Sequence, residues 1–404
     1  MGDILFLAHR IPFPPDRGDK IRSHHLLKGL AKIAPVHVAT FAESEADRAQ
    51  ERALAELAAS HCLGDRSKPL PLAGAEAVLR GRPVSLTAFD HARLRRYVAR
   101  RLAERAIDTI VVFSGQMGQY VPPDFVGRVV VDFCDVDSAK FAAYADAGER
   151  VWLNRREARL LAREEERLAR RADIALLISD NERALFRSQI GDDPALDIRV
   201  LGNGIDADAF DPAAVEPHPR LKAGEGPHFV LTGQMDYRPN VEAAQWLARS
   251  VMPLLRRALP EARFHIVGRA PSDAVRALDG QHGTRVWGEV PDVRPFLRAA
   301  DAVVAPLAIA RGVQNKVLEA MAMARPVVLT PEAATGIAAR DGEHFAVVAR
   351  DPQRFAAKLV ELTQDRQAAA AMGQAARRHV VDHASWPAVL APLPDLVQGP
   401  AHGE

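Results

Sequence analysis

Ala299-Ala-Asp-Ala-Val-Val-Ala-Pro306, a short loop, and then Arg311-Gly-Val-Gln-Asn-Lys-Val-Leu-Glu-Ala-Met-Ala-Met-Ala-Arg-Pro-Val-Val-Leu-Thr330 is the stretch on which the fold turns. The apolar run Ala302–Ala305 predicts a strand buried on both faces, because a continuous rather than alternating run suits a parallel sheet. Pro306 ends it. A glycine-containing loop leads to a predicted helix over Asn315–Ala324, and Val327–Leu329 begins the next strand. Free backbone N–H groups at such a helix start can receive phosphate oxygens. Lys316 falls in the first turn, where a cation opposes the helix dipole, a placement that makes sense if an anion binds there. Glu319, one turn on, is within reach of hydroxyl groups near the same anion. The two residues are equally readable as a solvated pair at i, i+3.

Working outward, the same alternation fills the chain. Strands are expected at Ile4–Ala8, Val36–Phe41, Thr109–Phe113, Val129–Phe133, Ile174–Ile178 and Ile198–Leu201. After a proline- and glycine-rich stretch they resume at Phe229–Thr232, Arg263–Val267, Thr284–Trp287, Ala302–Ala305, Val327–Leu329 and Phe345–Val348. Helical patterns separate them, among them 21–33, 46–59, 92–105, 139–171, 241–258 and 365–382. This order predicts an α/β chain of two Rossmann-like, doubly wound lobes. The boundaries read as 1–203 for an N-terminal lobe, 204–227 for a hinge, 228–380 for a C-terminal lobe, and 381–404 for a tail returning towards the first lobe. A cleft between the lobes is the expected ligand site.

The composition narrows the function. The 404 residues carry a formal net charge of +1, so no global field draws nucleic acid, and any anion site is local. The two cysteines, Cys62 and Cys134, form no CxxC pair and suggest neither a zinc site nor a disulfide framework. No signal-peptide pattern and no spanning run of about 20 apolar residues is visible, so a soluble, cytoplasmic protein is expected. No full GxGxxG fingerprint supports a nicotinamide enzyme. Gly18, before a predicted helix, allows close backbone approach to an anion, with Arg17, Lys20 and Arg22 adding charge.

Lys316-Val-Leu-Glu319-Ala-Met-Ala, ending in Pro326-Val-Val, resembles the donor-site helix of family 4 retaining glycosyltransferases, whose fold is GT-B. Asn203-Gly-Ile-Asp206, Gly233-Gln-Met-Asp-Tyr-Arg238-Pro-Asn240, Val267-Gly268-Arg269, Gly288-Glu289-Val290, Thr335-Gly336 and Ser179-Asp-Asn-Glu182 fit the same family in order. A closer resemblance, carried by 9–22, 132–138, 233–240 and Gly312-Val-Gln-Asn315-Lys316, is to the sugar transferases of PEP-CTERM/exosortase exopolysaccharide systems. The resemblance implies transfer of a hexosyl group from a nucleotide-diphosphate sugar, with retention, to a glycan or lipid-linked acceptor. It implies donor contacts from Gly18, Arg238, Gly268, Val290, Asn315, Lys316, Glu319, Thr335 and Gly336, and charge stabilisation by Lys316 and Arg238. Glu319 would hold the ribose. No protein nucleophile and no cofactor is implied. Where the family usually has a glutamate, eight residues before Glu319, this chain has Arg311, whose planar fork suits oxyanions.

Asp135-Val136-Asp137 has several readings. Two carboxylates after a strand are a metal-binding pattern beside diphosphates. The resemblance to the two-lobed family implies instead that helix dipoles and basic side chains replace the metal and that Asp135 or Asp137 faces the acceptor. Capping is a third role. In 92–105, Leu94, Val98 and Leu102 form a helical stripe among six arginines. That stripe either packs on the sheet or touches an anionic membrane face. Two other functions remain open at this level: a nucleotide-sugar epimerase on the same scaffold, and a non-catalytic sugar-binding protein.

Overall fold

The computed structural model describes residues 2–66, 68–191, 193–310 and 313–398, and the chain divides into two units. The first runs up to Asn203 and takes in the chain again from Val389. The second is Gly204–Ala388.

In the first unit, β1 (Asp3–Ala8), β2 (Val36–Ala42), β3 (Ser60–Asp65), β4 (Ile107–Phe113), β5 (Arg128–Cys134), β6 (Ile174–Leu177) and β7 (Ile198–Val200) form one parallel sheet in the order β3-β2-β1-β4-β5-β6-β7. The order reverses between β1 and β4, as in a doubly wound sheet with helices on both faces. Leu5 and Leu7 pack on one face with Ile110 and Val112, while Ile4 and Phe6 pack on the other with Val111 and Phe113. The helix Leu393–Gln398 closes the second layer: Leu393, Leu396 and Val397 join Leu26, Leu27 and Leu30. The Thr109 hydroxyl donates to the Val397 carbonyl at 2.8 Å.

The second unit repeats the plan. Its strands are β8 (His228–Thr232), β9 (Arg263–Val267), β10 (Thr284–Gly288), β11 (Ala302–Ala305), β12 (Val327–Leu329) and β13 (Ala346–Val347), in the parallel order β10-β9-β8-β11-β12-β13. The reversal here lies between β8 and β11. Both units are thus Rossmann-like parallel α/β layers, as the alternation of apolar runs predicts.

Several expectations differ from the structure. β3 was not among the predicted strands. The helix expected over 139–171 is two, Asp137–Asp146 and Val151–Arg171, parted at Gly148, whose φ of 84° suits glycine. Two helices, Leu70–Leu79 and Val84–Ala88, appear where none was expected. The stripe of 92–105 is not a membrane face. In the helix Ala92–Glu104, Leu94 and Val98 are buried with Phe41 and Cys62 against the sheet, so the packing alternative holds. No helix among the described residues is long and apolar enough to cross a membrane.

Candidate donor site

Ligands in doubly wound sheets bind beyond the carboxyl ends of the strands, where the strand order reverses. In the second unit this point lies past β8 and β11. Gly233 follows β8 immediately. Asn240 sits in the helix Arg238–Trp246 behind it, and Lys316 lies in the first turn of the helix Asn315–Ala322 after β11. The Lys316 ammonium donates to Asn240 Oδ1, and Asn240 Nδ2 donates to the Gln234 carbonyl at 2.9 Å. This bridge fixes a lysine across the crevice between two strand ends.

The bridge requires glycine below it. A Cβ on Gly233 would lie 2.8 Å from Asn240 Nδ2 and 3.1 Å from Lys316 Nζ. A Cβ on Gly268, at the end of β9, would overlap the Gly233 carbonyl oxygen. The two glycines therefore let neighbouring strand ends meet backbone to backbone, so that the lysine can lie over them.

The electrostatics suit an anion. Burial pushes the Lys316 ammonium down to about 8, against the attraction of Glu319, which raises it. Burial likewise lifts the Glu319 carboxyl, while Lys316 lowers it. Each charge is poorly solvated, and an added diphosphate would supply the counter-charge that the lysine lacks.

The other residues expected at the donor site follow the strand ends of the same sheet or open the helices after them. Val290 follows β10 and packs partly on the core, and Asn315 opens the lysine helix. Thr335 and Gly336 follow the short helix after β12, Gly336 with φ of 79°. Arg238 starts the helix that carries Asn240, but its guanidinium is exposed and bonded to Glu242 at 2.7 Å. Arg311 lies outside the described residues. Gly233 and Asn240 lie within the 233–240 motif but are not among the residues expected at the site; their signal is the spacing from strand end to helix, and the partner of Asn240, Lys316, lies 76 residues away.

The edge past β1 in the first unit departs from the expected cationic loop. Gly18 opens the helix Gly18–Ala31, and a Cβ there would meet no protein atom within 4 Å, so no internal contact demands glycine. Lys20 is buried on Asp47 and donates to the Phe13 carbonyl at 3.2 Å. Arg22 is buried on Asp132 at 2.8 Å. Arg17 pairs with Glu43 at 3.1 Å. These three are structural or surface pairs, so they do not make the loop cationic. His9 stacks on Phe113 and lies 3.3 Å from Asp19.

Asp135 and Asp137 follow β5 and line a narrow cleft with Gln116, Phe133 and Glu165. Asp137 is half-buried, and desolvation raises its carboxyl. Asp132, in contrast, is consumed by Arg22. Among the described residues no group of three or more His, Cys, Asp or Glu side chains is placed to hold a metal ion.

Rossmann-like units of parallel sheet, two to a chain, are the building blocks of the GT-B architecture, and solved structures of that class share the fold. Sucrose-phosphate synthase from Thermosynechococcus elongatus is 16% identical, matches 98% of each chain, and has a TM-score of 0.61. Anabaena HepE, solved in complex with UDP and glucose, is 16% identical over 99% of this chain and 100% of its own, with a TM-score of 0.61. In sequence, residues 226–365 match the family model described as Glycosyl transferases group 1. That span contains Gly233, Asn240, Gly268, Lys316 and Glu319. A GDP-mannose-dependent alpha-(1-6)-phosphatidylinositol monomannoside mannosyltransferase from Mycobacterium tuberculosis is 30% identical over 244 residues. The match covers 56% of this chain and spans 62% of that relative's length. The likeness to these solved structures is one of fold along nearly the whole chain, and the likeness in sequence to glycosyl transferases group 1 lies over residues 226–365.

Proposed function

We propose that this chain is a retaining glycosyltransferase that moves a hexosyl group from a nucleoside-diphosphate sugar to a lipid-linked or growing exopolysaccharide glycan. The observation that carries the reading is the Lys316–Asn240 bridge over Gly233 and Gly268 at the switch point of the second sheet. When the bond between the anomeric carbon and the diphosphate breaks, negative charge grows on the leaving phosphate. A desolvated cation held there stabilises that charge more than the ground state. Asn240 holds the ammonium in place, Glu319 accepts from the ribose hydroxyls, and the first-turn N–H groups of Asn315–Ala322 add a positive dipole end. Asp137 or Asp135 meets the acceptor. The glycolipid acceptor in the mycobacterial relative's name supports a lipid-linked acceptor here, and the resemblance to exopolysaccharide transferases supports a glycan chain.

A thermal-shift screen of UDP-, GDP- and ADP-sugars tests the donor reading. One base should raise Tm clearly, because a ligand at 100 times its Kd stabilises the native state by about 2.7 kcal/mol. A screen in which no nucleotide sugar moves Tm would sink the proposal.

Metal independence follows from the same site, since Lys316 and the helix start can do a metal's electrostatic work. Transfer assayed in excess EDTA should keep most of its rate. Complete loss, restored by Mn²⁺, would move the diphosphate-binding role to Asp135 and Asp137.

A further inference from the structure

We propose that the first unit docks on an anionic lipid bilayer through the outer side of the helix Leu70–Leu79 and the adjoining Trp152. The surface lies in the first unit, whereas the donor site is built in the second. In a helix that serves only its core, the large apolar side chains face inward. In Leu70–Leu79 the inward residues are Ala73 and Ala77, while Leu70, Leu72, Val78 and Leu79 are 59%, 63%, 51% and 87% exposed.

A fifth large apolar side chain belongs to the same neighbourhood. Trp152 is 69% exposed in the first turn of Val151–Arg171. One turn further along the same side, Arg156 donates to the carbonyls of Ala77 at 2.8 Å and Arg82 at 3.1 Å. Glu157 accepts from the backbone N–H groups of Val84 and Ser85. Arg156 thus ties the end of Leu70–Leu79 to the start of Val151–Arg171, and Glu157 ties the helix Val84–Ala88 beside them. An exposed apolar cluster of this kind marks an interaction site.

Charge selects the occupant. Segments 68–82 and 151–160 hold six cations, of which Lys68, Arg80 and Arg82 face the carboxylates Glu76 and Asp90 and Arg156 is bonded to backbone carbonyls. Glu76 is already paired with Lys68 and Arg80, and Glu157 is buried on the backbone. Arg155 and Arg159 are exposed. Leucines and a tryptophan bordered by arginines match the headgroup boundary of an anionic leaflet, where the rings and chains insert and the guanidinium groups meet phosphates.

Co-sedimentation with vesicles of phosphatidylcholine, with and without phosphatidylglycerol, tests this on the full chain. The wild type should partition onto the anionic vesicles and only weakly onto the neutral ones. The triple variant Leu72→Gln/Leu79→Gln/Trp152→Gln should lose about tenfold or more of that partition. Its Tm should be unchanged, because all three side chains are exposed. The control Arg93→Gln/Arg96→Gln/Arg100→Gln, on the helix Ala92–Glu104, should keep at least half. Emission should shift to the blue on adding anionic vesicles and lose that shift in Trp152→Phe, since the remaining tryptophans are half-buried or buried. Absence of partition at low salt, equal binding to neutral vesicles, or an unaffected triple variant would each overturn the proposal. So would self-association of the wild type that the triple variant abolishes, which would give the patch to a second copy of the chain. Donor-induced Tm shifts in the triple variant report separately on the transferase reading.

Discussion

Lys316→Ala is expected to lower kcat/KM by about 10²–10³-fold while leaving Tm unchanged or slightly raised. The rate loss is the usual consequence of removing one preorganised charged donor from a developing oxyanion. The stability expectation has a different origin. Lys316 is a desolvated cation whose ammonium donates to a neutral amide, so removing it relieves an unfavourable burial that the attraction of Glu319 only partly offsets. Activity falling with Tm intact identifies a functional residue. Activity and Tm falling together would mark Lys316 as structural. The pH dependence provides a second readout. With its ammonium pushed down to about 8, Lys316 in the free protein loses its charge as pH rises through that value. Affinity for the donor should therefore weaken between pH 7 and 9. In Lys316→Arg the guanidinium stays charged, and that weakening should disappear. Glu319→Ala should instead act mainly through KM, because a ribose contact is made equally in ground and transition states.

Much of this site was legible in the sequence because it is built locally. A Val-rich run, a proline, a loop and a helix put Lys316 at a strand's carboxyl end, and no distant residue was needed to place it there. What could not be read is what the structure brings from afar. Asn240 reaches Lys316 across 76 residues, and Arg22 reaches Asp132 across 110. A list of cations near Gly18 therefore looked like a phosphate loop, although Lys20 and Arg22 turn inward to carboxylates on other elements. β3 was missed for a composition reason. Ser60-His-Cys-Leu-Gly-Asp65 holds no Val or Ile, because it is an edge strand with only Cys62, Leu63 and Gly64 buried. The helix Leu70–Leu79 was hidden by Pro69 and Pro71. Those prolines stand at the N-cap and the second helical position, where they are tolerated.

Asp132→Ala is expected to cost about 3–5 kcal/mol of stability, because it leaves a buried arginine without its counter-charge. Arg22 is 2% exposed and Asp132 is 1% exposed. Asp132 and its hydrogen bond keep the guanidinium charged against the desolvation that would lower it. The remaining donors of Arg22 go to the carbonyls of Leu201 at 2.8 Å and Gly202 at 2.7 Å, and to Asn203 Oδ1 at 3.0 Å. One side chain thus ties the first helix and β5 to the last residues of the first unit before the chain leaves for the second. Asp132 also accepts at 3.1 Å from the N–H of Cys134, which is itself held at φ of 65°, so the strand end loses a support as well. Urea unfolding should show the midpoint of the first unit's transition falling sharply in Asp132→Ala and less in Asp132→Asn, which keeps a neutral acceptor. The double variant Arg22→Met/Asp132→Leu should recover a large part of the loss, since it removes the stranded charge along with its partner. A single-variant loss below about 1 kcal/mol would mean that water reaches Arg22 once the carboxylate is gone, and that the pair is not what anchors this end of the sheet.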